Sequence, residues 1–143
     1  MASDDQIAAL YQKEIRDLAA SVRNDRRLSS PDATVTKRSR ICGSSVTLDV
    51  SFCEGRIKAV GYRARACSLG MAATAVVVRV SPGQNAAGIT EAKETLAALL
   101  AGDDVTFPPG WGQLKLFTAA IPFRTRHESI LLALQAAEAA FSA

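Results

Sequence analysis

Apolar residues first recur at helical spacing. Ile7, Leu10, Tyr11, Ile15, Leu18, Ala19 and Val22 predict an amphipathic helix, with Ser3, Asp4 and Asp5 ahead of it as capping candidates. Ser29-Ser30-Pro31-Asp32 then breaks the chain. Thr34 to Ile41 alternates loosely and predicts a first strand. The clearest alternation follows, with Val46, Leu48, Val50 and Phe52 set against Thr47, Asp49 and Ser51. Glu54-Gly55 supplies a turn, and Arg56 to Ala66 returns as a third strand. These strands form a short antiparallel meander whose apolar face needs covering.

The second half of the chain is helical. Ser68 to about Val80 predicts one helix, closed by Ser81-Pro82-Gly83, and Glu91–Leu100 predicts another, stopped at Gly102. Phe107 to Gly112 reads as a loop, Leu114–Ile121 is too short and mixed to assign, and a last helix begins after Pro122 and runs to Phe141. Strands first and helices afterwards describe an α+β sandwich: an N-terminal helix, a three-stranded antiparallel sheet, and helices packed on one face. The 143 residues fit a single domain, 1–143, with enough chain for a real core.

Composition narrows the function classes. The longest apolar run, Ala72 to Val78, is too short to span a bilayer, so no membrane role is expected. Met1–Asp5 is polar and acidic, unlike a secretory signal, and points to a cytoplasmic protein. The three cysteines are odd in number and widely spaced, which does not describe a disulfide framework. Arg23, Arg26, Arg27, Lys37, Arg38 and Arg40 cluster before Cys42 and can meet an acidic partner or nucleic acid. No aromatic residue interleaves with them, which argues against nucleic acid, and the plainer reading is a solvated basic face.

Candidate chemistry sits at junctions of elements. Cys42 precedes Gly43 at the turn into the clear strand. Cys67 stands just before a helix start, where backbone N–H groups lower a thiol pKa. His127, the one histidine, falls in the first turn of the last helix. Two thiolates and an imidazole are a zinc or iron–sulfur ligand set by type, although no C-x-x-C pair supports it and a lone histidine at a helix start is commonly a surface residue. Thr125-Arg126-His127-Glu128 fits a capping box, so Glu128 reads first as a cap and second as an extra ligand. Cys53 reads as a bystander. Ser44 and Ser45 lack a G-x-S-x-G elbow, and His127 has no evident orienting carboxylate, which removes a hydrolase triad.

The order of elements, with "RICGSSVTLDVSFCEGRIKAVGYRARACSLGMAATAVVV" and "PFRTRHESILLALQAAEAA", resembles the IscU/SufU/NifU N-terminal family of iron–sulfur assembly scaffolds. Gly102–Phe123 resembles the longer insertion of the SufU-like branch. The resemblance implies a SufE/NifU-like sandwich and a scaffold for iron–sulfur cluster assembly rather than a turnover enzyme. It also implies Cys42, Cys67 and His127 as ligands of a transient 2Fe-2S cluster or of zinc. Its partners would be a cysteine desulfurase and downstream Fe–S acceptor proteins. Two departures stand out: Ser44 replaces the family's aspartate, and His127 its third cysteine. Histidine cannot hold a persulfide, so sulfur acceptance falls to Cys42, as in zinc-containing SufU-like members. The Hsp70-recognition motif of IscU-like members is not evident before Arg124. Two alternatives remain open: a zinc-dependent sulfurtransferase with Cys42 as nucleophile, and a metal-free interaction domain that keeps the fold.

Overall fold

A computed structural model describes the backbone of residues 4–143 and side chains from residue 12 onward. Helix α1 spans Asp4–Ser21. Ser3, and the side chains of Asp4, Asp5, Ile7, Leu10 and Tyr11, lie outside the described set. Strands β1 (Ala33–Arg38), β2 (Ser45–Cys53) and β3 (Arg56–Arg65) form a three-stranded antiparallel sheet in the order β1-β2-β3. Glu54 at φ 53° and Gly55 at φ 75° make the β2–β3 turn, both central residues taking the positive φ that suits the sheet's twist.

β1 ends at Arg38 rather than continuing to Ile41. The Ser39 N–H turns back to the Ser44 carbonyl at 2.8 Å, closing a loop in which Gly43 takes φ 70°. Helix α2 spans Ser68–Val80, as its pattern predicts. Helix α3 spans Ala86–Leu100 and starts before the expected Glu91, because the Asn85 side chain caps it by accepting from the Gly88 N–H at 2.9 Å. The unassigned stretch forms a 3-10 helix, Gly112–Ala120. After Pro122 comes a 3-10 turn, Arg124–Arg126, so helix α4 starts only at His127 and ends at Ala140.

Val46, Leu48 and Val50 bury one face of β2, and α4 lies against β1 and β2 there while packing on α2 and α3 on its other sides. Ile130, Leu134 and Ala137 of α4 join Leu96 of α3, Val76 of α2, Trp111 and Phe117 in one continuous core. α1 packs on α2. The opposite sheet face is polar. There Asp49, 1% exposed, accepts from Arg27 at 2.7 and 3.0 Å, from the Leu28 N–H at 3.0 Å and from Thr34 at 2.8 Å. Part of the basic cluster is therefore structural rather than simply solvated. Residues 26–28 run close over β3, where a side chain at Gly61 would meet the Leu28 nitrogen and the Arg26 carbonyl.

Candidate functional site

Sheet register brings the two candidate thiols to one end of the molecule. Arg38, Ser45 and Arg65 pair across the three strands, so the loop holding Cys42 and the segment holding Cys67 leave the same edge. The N-terminus of α4 closes on that edge. Glu128 accepts the backbone N–H of Arg40, and Ser129 donates to Ser44 at 2.9 Å. The capping box expected at Thr125 and Glu128 is absent: Arg126 occupies the cap position with no side-chain bond, because Glu128 is committed to the Cys42 loop.

Cys42 is exposed, and its sulfur lies 3.3 Å from Ser39 Oγ and 3.1 Å from Ser44 Oγ. Those hydroxyls, then the Ser44 backbone N–H, stabilise the thiolate against the opposing effect of burial, and Ser129 adds to them; the pKa falls to about 7. Ser39 Oγ also accepts the N–H groups of Ile41 and Cys42, each at 3.3 Å, which fixes the loop around the sulfur.

Cys67 is half-buried and is the N-cap residue of α2, with extended backbone at φ −64° and ψ 168°. Burial pushes its thiol up. The Gly70 N–H, the Ser129 hydroxyl, the Arg126 guanidinium and the Leu69 N–H together outweigh that and leave the pKa lowered. Its sulfur lies 3.6 Å from Ser129 Oγ. The two thiols are thus joined by a chain, Cys42–Ser44–Ser129–Cys67, whose hydroxyls are 3% and 1% exposed at the residue level. Two hydroxyl protons serve three contacts in this chain. Either end can receive a donor, but with both thiols ionised the Ser44–Ser129 contact has no proton left to share.

His127 faces a different partner. Its Nε2 lies 2.8 Å from the Ala120 carbonyl, a bond that puts the proton on Nε2 and leaves Nδ1 as the ring's lone-pair nitrogen. Among the described residues no group of three His, Cys, Asp or Glu side chains is arranged to hold a metal ion. Cys42 and Cys67 converge, whereas His127 does not join them as its ring stands. Cys53 is exposed at the end of β2. Nothing in the sequence pattern marks Ser39 as a site residue, and little marks Ser129. The one signal for Ser129 is a small polar residue directly ahead of the apolar run "ILLAL" of α4.

The fold and site define a small α+β sandwich presenting two acidified thiols from adjoining loops at one sheet end. The chain belongs to the family of NifU-like N terminal domains: that family's model matches residues 10–108, which include Cys42 and Cys67 and stop short of His127. A solved NifU-like protein (N-terminal) from Brucella abortus, described as nitrogen-fixing, is 27% identical, with a TM-score of 0.85 over 95% of this chain and 94% of that one. The fold is also shared with a putative iron–sulfur cluster assembly scaffold protein for the SUF system from Fervidobacterium islandicum AW-1. That structure is 19% identical, with a TM-score of 0.82 over 97% of this chain and 99% of that one. No curated protein matches the chain.

Proposed function

We propose that the protein is an iron–sulfur cluster assembly scaffold whose cargo is held by Cys42, Cys67 and His127. The observation that carries this reading is the convergence of two acidified thiols on one buried serine pair in a NifU-like fold. The donor types fit the cargo. Soft thiolates suit iron–sulfur clusters or zinc, and a histidine bonded through Nε2 presents Nδ1 as its ligating atom. Recruiting His127 takes a side-chain movement from its present place against the Ala120 carbonyl. The partners on this reading are a cysteine desulfurase and Fe–S acceptor proteins, in the reducing cytoplasm that free thiols require.

A second reading is favoured by the exposure and low pKa of Cys42. Its thiolate can attack the outer sulfur of a desulfurase persulfide. The S–S bond breaks, the desulfurase thiolate leaves, and Cys42 carries the –S–SH group.

Anaerobic purification followed by iron, sulfide and zinc analysis tests both readings. Cys42→Ser and Cys67→Ser are expected to lose most of the bound metal, His127→Ala to weaken it, and Cys53→Ser to leave it unchanged. Equal loss in the Cys53 variant would show that the thiols are misassigned. A wild-type protein that takes neither metal nor persulfide sulfur would be a metal-free interaction domain.

A further inference from the structure

Two large apolar side chains are exposed among the described residues, Ile41 at 63% and Phe123 at 57%. Each stands beside one of the thiols. Ile41 precedes Cys42 in its loop, and Phe123 lines an open groove of about 670 Å³ whose wall also includes Cys67. Ile15 and Leu69 supply apolar wall, while Arg16 and Arg126 supply the charge; among the described residues no carboxylate lines the groove. Both arginines are exposed, and among the described residues neither forms an ion pair. The cations nearby on the sheet differ in this respect, since Arg63 and Arg65 share Asp25.

We infer that this groove docks an extended segment of a partner protein in which acidic side chains flank apolar ones. Two guanidinium groups without a carboxylate partner among the described residues, Arg126 touching only the Cys67 thiol, complement that chemistry over an apolar wall, and exposed apolar area beside a reactive group is where interfaces form. A ligand confined to the groove leaves Ile41 beside the other thiol uncovered, whereas a protein surface reaches both. Nucleic acid fits less well, because among the described residues Phe123 is the one aromatic ring in the groove, too little for a stacking platform. The inference deepens the scaffold reading, on which it rests for the partner's role but not for the binding itself.

The test uses metal-free full-length protein and a short fluorescein-labelled peptide of alternating Asp and Leu, followed by anisotropy. The expected result is saturable binding that weakens with salt. It should be weaker by about tenfold or more with Lys in place of Asp, and by a similar factor for the Arg16→Glu/Arg126→Glu and Phe123→Ser variants. Circular dichroism checks that the variants fold, and the Asp-against-Lys comparison on unaltered protein stands without them. Absence of saturable binding, equal binding of the Lys peptide, tighter binding of an oligo-dT strand, or indifference of folded variants would each overturn the inference. Metal loading of the unaltered protein is measured alongside. Peptide binding without metal loading keeps the groove and removes the scaffold reading, and metal loading without peptide binding does the reverse.

Discussion

A thiol open to water ionises near pH ~8.5, and the usual way to lower that value is a neighbouring cation or helix N-terminus. Cys42 reaches about 7 chiefly through oxygen: the Ser39 and Ser44 hydroxyls sit against its sulfur, the Ser44 hydroxyl free to donate to the thiolate, and the Ser44 N–H adds to them. Hydroxyl donors favour the charged form, so their loss must raise the pKa. The rate of Cys42 alkylation by iodoacetamide should therefore rise with pH to a midpoint near 7. Ser44→Ala should move that midpoint upward and slow the reaction severalfold at neutral pH. Mass spectrometry of the labelled peptide separates Cys42 from the exposed Cys53. An unmoved midpoint in the Ser44 variant would assign the acidity to something other than the serine. Cys42 and Cys67 were legible as candidates because both stand at element ends beside small residues. Ser44 stands out only as a replacement for the family's aspartate, and its pairing with Ser129 is not legible, since the two lie far apart in the chain and nothing local marks them as partners.

At the scale of elements, local pattern predicted what local forces decide. β2 alternates because one face is buried against α4, and α2 begins where Cys67 leaves the sheet. The sequence pattern places the start of α3 late because Gly88, a poor helix former, sits in its first turn, and the cap that compensates is the side chain of Asn85. The spacing of Glu128 from Thr125 predicts a local cap, yet a partner from the other half of the chain, the Arg40 N–H, holds it. The junction of α2 and α4 carries a prediction of its own. Gly70, in the first turn of α2, lies so close to α4 that an added Cβ would meet Ser129 Oγ and, at 2.9 Å, Ala66 Cβ. Gly70→Ala improves helix propensity by about 1 kcal/mol at an unconstrained site. Here it forces two packed elements apart, and overpacking of that kind costs about 1–3 kcal/mol. Urea unfolding should show a net loss of stability, and displacement of Ser129 should also reduce metal loading. A gain in stability would mean that the α2–α4 contact yields freely.

At the scale of the whole molecule, the same sheet that aims two thiols from one edge is anchored across its other face by a buried carboxylate. Asp49 accepts four hydrogen bonds: two from the Arg27 guanidinium, one from the Leu28 N–H and one from the Thr34 hydroxyl. Its pKa is held below the usual carboxylate value, first by the Arg27 hydrogen bonds against the opposing effect of burial, then by Thr34 and the Leu28 N–H. A carboxyl group with a depressed folded pKa contributes stability that is present above the unfolded value of about 3.9 and is lost as pH falls through the folded value. Glu138, lowered by Lys93 and Thr90 against partial burial, contributes in the same direction. Urea midpoints should therefore hold from neutrality down to about pH 5 and fall below it. Asp49→Asn keeps the shape but removes the charge on which Arg27 and Leu28 converge. Arg27 is partly solvated, its side chain 45% exposed, so the loss should be that of hydrogen bonds to a charged group, about 1.5–3 kcal/mol, rather than that of a fully buried ion pair. In acid the difference between wild type and variant should shrink, because the wild type loses by protonation what the variant already lacks. If the two curves stay parallel through pH 3, the carboxylate of Asp49 is not what holds residues 26–28 to the sheet.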